Sequence, residues 1–245
     1  MDYKTKPLSR MDIRKLAKIF RKAFHASPIG PFPVLLALER LPDLFPGSNY
    51  VIVEDDYLDA TVPCRCIPND NAPDSFTIEI KESVYNGAYN GVGAYRDHIC
   101  HELCHLFLFH LGYRPVVERC YREGELKKYE SVEWQAKALC GEVMLPFKET
   151  QGFENPEDLA EIYGIKVIPN VRLGDNRTIG MLDAIPHGCL VAVGTNGFMK
   201  ELSNRQIFTD QVSIMVDVLR PKGILVYGQA YPSVFKSDTK SEGVA

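Results

Sequence analysis

The chain reads as an α+β protein in two parts, a larger unit over residues 1 to about 150 and a smaller α/β region over about 151 to 245. Three observations lead there. Its 245 residues, 45% hydrophobic and 24% charged, suffice to bury one sizeable core or two small ones. Up to Pro146, helix-period segments surround two short β-rich runs. After Thr150, helical segments alternate with short apolar ones, which is the pattern of an α/β arrangement.

Ser9, followed by Met11, Ile13, Leu16, Ala17, Ile19, Phe20 and Phe24, predicts a capped amphipathic helix with Arg14, Lys15, Lys18, Arg21 and Lys22 on its wet side. Pro28, Pro31 and Pro33 punctuate its exit, and a short helix over Val34 to Leu41 ends before Pro42. Tyr50 to Val53 and the alternating Phe76 to Ile80 predict strands. Between them, Cys64, Cys66, Pro68, Asn69, Asp70, Asn71 and Pro73 read as loop. Three glycines and two asparagines from Tyr85 to Gly93 suggest a mobile approach to the next helix. That helix spans about Arg96 to Leu111 and stops at Gly112; another runs from about Glu130 to Val143 and ends by Pro146.

In the second part, Pro156 to Tyr163 predicts a helix closed by Gly164. Strands are expected over Ile165 to Val171, Leu190 to Val193 and Ile224 to Tyr227, with a helix over Thr209 to Leu219. The polar tail from Ser237 to Ala245 is expected to fray.

Charge and cysteines narrow the function classes. A formal net charge of −4 gives no support for nucleic-acid binding, and none is expected. The polar start of the chain does not look like a secretory signal, and the longest apolar stretches, such as Val34 to Leu38 and Leu106 to Leu111, are too short for a bilayer. Seven cysteines, an odd number, fit reduced thiols and a cytoplasmic location. Oligomeric state is not legible.

The chemistry concentrates in His101-Glu102-Leu103-Cys104-His105. At about 100° per residue, His101 and His105 lie roughly 40° apart in helical projection, so two imidazoles share one side. This spacing suits one zinc ion, while Glu102 sits beside the ligand face as a candidate general base. Leu106, Phe107, Leu108 and Phe109 follow, so the helix is expected to be largely buried, and buried His and Glu need partners. A third ligand is expected on the following helix, where Glu133 is preferred and Glu130 is the alternative one turn away; Val132, Ala136, Leu139 and Val143 supply the packing stripe beside them.

The stretch Asp97 to His105, followed by Glu133-Trp134-Gln135-Ala136 and closing at Met144-Leu145-Pro146, resembles the ImmA/IrrE metallo-endopeptidases. The resemblance covers roughly Met11 to Pro146. It implies a zincin-like domain binding one Zn²⁺ ion, with His101, His105 and Glu133 as ligands and Glu102 as general base. It also implies an endopeptidase acting on a specific cytosolic protein, typically a DNA-binding repressor of a mobile element or stress response. Cys104 stands where family members often carry glycine, a change that leaves the ligands intact. The segments Tyr163 to Val171, Ala184 to Val193 and Leu219 to Gly228 resemble an uncharacterised domain family of phage and mobile-element proteins, which implies no activity.

Other residues are weighed against plainer readings. Cys100 and Cys104 are candidates for a fourth zinc ligand that would hold the site latent, but both are read first as packing thiols. Cys64-Arg65-Cys66 spaces its thiols poorly for a metal site. His98 is read as a polar helix-start residue rather than a substrate contact. Tyr121, Arg122 and Tyr129 lie between the metal-bearing helices as unranked oxyanion candidates, and Trp134 is read as a packing anchor. The rival to an enzyme is a zinc-stabilised protein-binding or sensor module without proteolysis. A further rival is a metal-free α/β protein.

Overall fold

The computed structural model describes residues 2–70, 72, 74–122, 125–153, 155–173, 180, 182–195, 202–228 and 234–235. Asn71 and Pro73 of the expected loop, and the tail from Ser237 to Ala245, lie outside them. The chain is a mixed α+β protein with three small sheets among the described residues. It divides into two compact units, residues 1–165 and 166–245, a division that falls beyond the change of pattern after Thr150.

The first unit opens with strand β1 (Asp2–Lys4) and helix α1 (Arg10–Ala23). Ser9 caps α1, its Oγ accepting the Asp12 N–H at 3.2 Å. Ile13, Ala17, Phe20 and Phe24 are buried at helical spacing, whereas Met11 and Ile19 are exposed, so the apolar stripe is narrower than the sequence indicates. Arg21, expected on the wet side, is instead buried. Its guanidinium donates to the carbonyl oxygens of Ser27, Gly30 and Val143, so the three carbonyls replace the water it gives up.

Helices α2 (Val34–Glu39) and α3 (Leu41–Leu44) lead to β2 (Asn49–Val53), β3 (Cys64–Pro68) and β4 (Phe76–Lys81). β4 is central, parallel to β2 and antiparallel to β3. The segment Cys64 to Pro68, read as loop, is therefore a strand. Pairing with β4 overrides its weak local signal, and Pro68 is tolerated because β3 lies at the edge.

The glycine-rich approach from Tyr85 to Gly93 is helical only in its first part. Helix α4 (Glu82–Tyr89), whose Val84 and Ala88 face the core one turn apart, takes in Tyr85 to Tyr89, and residues 90–92 turn into the next helix. Gly87 is needed there, since a Cβ would sit 2.1 Å from Cδ2 of the Tyr95 ring. Helix α5 (Gly93–His110) follows, then β5 (Val116–Tyr121), which pairs antiparallel with β1. A 3₁₀ turn over Lys128–Glu130 enters helix α6 (Val132–Met144). Short α7 (Phe147–Thr150) and α8 (Pro156–Tyr163) close the unit, and Gly164 stops α8 in the left-handed region at φ 60°.

One core joins α1, α5 and α6 to the inner face of the β2–β4–β3 sheet, with Phe20, Leu38, Ile78, Ile80, Leu103 and Leu139 fully buried. The Phe20 ring meets Phe24, Phe32 and Phe107 at centroid distances of 4.7, 5.4 and 4.9 Å.

The second unit holds β6 (Asn170–Val171), β7 (Leu190–Gly194), helix α9 (Leu202–Leu219) and β8 (Gly223–Tyr227). Its three strands run parallel in the order β6–β7–β8, and Val171, Val191, Val193, Met215 and Leu219 form its core. The strand expected from Ile165 is confined to Asn170 and Val171, where a parallel partner exists. Among the described residues no helix is long and apolar enough to cross a membrane.

Candidate metal centre

Helix α5 is apolar on most of its circumference, burying Ile99, Cys100, Leu103, Cys104, Leu106, Phe107 and Leu108. Core packing on these residues fixes its rotation and leaves His101 and His105 half-buried, facing α6. Their rings stand edge to face with centroids 4.5 Å apart, and the two Nε2 atoms are 3.0 Å apart.

Helix α6 brings the third group. Ser131 caps it, accepting the Trp134 N–H at 2.8 Å. Asp2 adds a contact that no local pattern announces: Oδ2 accepts the Ser131 hydroxyl at 2.5 Å, and Oδ1 accepts the Glu133 backbone N–H at 3.3 Å. A carboxylate at a helix N-terminus is favoured by the aligned peptide dipoles as well. Gln135 ties the same turn down by donating to the carbonyls of Lys6 and Tyr129 at 2.8 Å each.

Glu133 therefore arrives with Oε2 3.4 Å from His101 Nε2 and Oε1 3.4 Å from His105 Nε2. Glu130, the alternative, turns to Lys4 at 3.4 Å instead. The ligand-to-ligand edges are 3.0 Å between the two Nε2 atoms and 3.4 Å from each Nε2 to a different oxygen of the Glu133 carboxylate. Bonds of about 2.0–2.1 Å from a tetrahedral zinc to N and O ligands put such edges at roughly 3.3 Å. Two imidazoles and a carboxylate at these separations fit a zinc ion, and the Glu133 side chain is 43% exposed, so the group can be reached from solvent.

The electrostatics agree. Hydrogen bonding to His101 and His105 holds the Glu133 carboxyl well below the usual range. Glu102, next to this group, is pushed up to about 7, first by burial and then by the Glu133 charge, against His101 and the nearby Cys66 backbone. Cys66 belongs to β3, so the edge strand of the sheet passes close to Glu102.

Cys100 and Cys104 do not join the histidines. They gather with Cys140 of α6 as a separate group of buried thiols. Of the remaining candidates, His98 is exposed, Tyr121 lies under Arg119 at 4.6 Å, and Tyr129 lies under Lys127 at 5.9 Å. Trp134 packs against the core with Arg10 over its ring at 5.3 Å. Sequence reasoning missed Asp2 and Cys140; Asp2 acts across the whole unit, and Cys140 carries no signal until α5 and α6 are brought together.

A groove of about 700 Å³ lies elsewhere, between α1 and the end of α6, lined by Arg14, Lys18, Lys22, Lys148 and Glu149 among others. His25, Glu142 and Glu149 also line it, but they do not converge as a group of metal-ligating atoms, so the groove does not compete as the metal centre.

No curated protein matches the chain. Residues 160–241 match the family model described as a domain of unknown function (DUF4417), a stretch that takes in β6, β7, α9 and β8 and does not reach α5 or α6.

Proposed function

We propose that the chain is a zinc-dependent endopeptidase with His101, His105 and Glu133 as ligands to one zinc ion and Glu102 as general base. The observation that carries this reading is the convergence of His101, His105 and Glu133, whose ligand atoms all lie within 4.8 Å of one another, with Glu102 next to His101 in the chain. A bound zinc supplies Lewis acidity and makes water a nucleophile near neutral pH. Glu102 takes the proton from the attacking water and returns it to the leaving amine.

The edge strand β3 passes close to Glu102, and an extended peptide laid along a sheet edge gains backbone hydrogen bonds there. This supports a protein substrate over a small amide. The ImmA/IrrE resemblance and the zincin-like domain it implies belong to the same proposal, as does a cytosolic DNA-binding repressor as substrate. Residues 166–245 would then act as an accessory domain, in keeping with a mobile-element origin.

The test is incubation of the purified protein with the protein product of the adjacent gene, followed by intact mass, with Glu102→Gln as control. Cleavage by the wild type and none by a zinc-loaded Glu102→Gln protein is the expected result. A partner that stays uncut but binds equally to both proteins would overturn the peptidase in favour of a zinc-stabilised binding module.

A further inference from the structure

We propose that Cys100, Cys104 and Cys140, together with Asp97, hold a second zinc ion between α5 and α6. The site is independent of the peptidase reading. It also goes beyond the single ion that the motif indicates.

Cys100, Cys104 and Cys140 are 0, 0 and 2% exposed, and their sulfur atoms all lie within 4.8 Å of one another. Zinc–sulfur bonds of about 2.3 Å in a tetrahedron separate the sulfurs by roughly 3.8 Å, inside that bound. A fourth ligand stands ready, because Asp97 Oδ1 is 3.3 Å from Cys140 Sγ. Zinc bonded to one sulfur and one carboxylate oxygen would hold those atoms at roughly 3.6 Å. Asp97 is itself exposed, so an ion entering from solvent meets it first.

The helix geometry explains how two ions fit on one element. Asp97, Cys100 and Cys104 follow one another at three and four residues, and so share a face of α5. His101 and His105 sit one residue further on, about 100° around the helix. On α6, Glu133 and Cys140 are two turns apart, so one stripe of that helix serves both groups.

Charge argues the same way. Three thiolates and a carboxylate around a divalent cation leave surplus negative charge in a buried place, which is costly without a counter-charge. Arg21 supplies it: its buried guanidinium lies within electrostatic reach of Cys100 and is anchored by three carbonyls. An ion at this position would pin α5 to α6 and so hold the histidine pair opposite Glu133.

The experiment uses the full chain, stripped of metal under reducing conditions, reloaded with zinc and desalted, then read by native mass and zinc X-ray absorption. Two zinc equivalents and a sulfur shell at about 2.3 Å are expected for the wild type. The His101→Ala/His105→Ala protein should keep one equivalent and the sulfur shell. Cys100→Ala/Cys140→Ala should keep one equivalent with only nitrogen and oxygen at about 2.0–2.1 Å. A wild-type spectrum without sulfur overturns the proposal, and so does a sulfur shell that survives in the cysteine variant. If that variant does not fold, the wild type and the histidine variant decide the matter, since loss of the sulfur shell along with the histidines also overturns it.

Discussion

Asp2 fixes the placement of Glu133 from the opposite end of the first unit: its Oδ1 accepts the Glu133 backbone N–H at 3.3 Å while its Oδ2 accepts the Ser131 hydroxyl at 2.5 Å. Pairing of β1 with β5 carries Asp2 to that spot, so the sheet of two strands serves to cap the helix that bears the third ligand.

Asp2→Ala tests the consequence. The variant keeps all three ligands but frees the first turn of α6, so zinc at the histidine site should bind about tenfold more weakly. Loss of a capping interaction should cost about 1 kcal/mol of stability. Chelator competition measures the first and urea unfolding the second. Unchanged zinc affinity with lowered stability would show that Asp2 only caps.

A second prediction concerns Arg21. Its guanidinium donates to Val143 O at 2.5 Å, Ser27 O at 2.8 Å and Gly30 O at 2.9 Å, joining α1 to the end of α6 and to the loop after α1. Arg21→Met strands buried carbonyls and should destabilise the protein by about 3–5 kcal/mol. Arg21→Lys keeps the charge but not the planar fork and should recover less than half of the loss. Urea midpoints of the two variants at one pH settle the comparison.

The Arg21 result bears on what the sequence can reveal. Helix periodicity located α1, α5 and α6, because packing faces repeat every three or four residues, and Ser9 marked a cap by residue type. Periodicity also put Arg21 outside, since a charged residue next to Lys22 looks solvated; only the returning loop and α6 supply its acceptors. The same limit hid β3, whose strand form comes from β4 rather than from Cys64 to Pro68 itself. His101, Glu102 and His105 were readable because one helix carries their spacing. Glu133 was readable only as one of two acids, and Lys4 separates them by pairing with Glu130.

Phe20 supplies a third prediction. Its ring is fully buried and meets three other aromatic rings, so Phe20→Ala should cost about 3–5 kcal/mol. Ile19→Ala and Met11→Ala, at 53% and 68% exposure, should stay within about 0.5 kcal/mol. Equal losses at positions 19 and 20 in chemical unfolding would contradict the narrow stripe.

The last prediction is one of pH. His110, at the end of α5, stacks on Phe45 with centroids 4.7 Å apart and stands edge-on to Phe76 and Phe109. Loss of water around the ring lowers its pKa, with Arg114 acting in the same direction and Asp74 opposing both. The unfolded chain therefore takes up the proton first, from about pH 6.5 downwards. Stability associated with the neutral ring is complete above that pH and is lost as pH falls towards the folded-state value. His110→Phe keeps the stacked ring and removes the titration. Urea midpoints of the metal-free proteins should run parallel above pH 7 and separate below about pH 6.5, the wild type falling faster. Because His101 and His105 are common to both proteins, their titration cancels in the difference. Parallel curves down to pH 5 would mean that the His110 ring is hydrated in the folded protein.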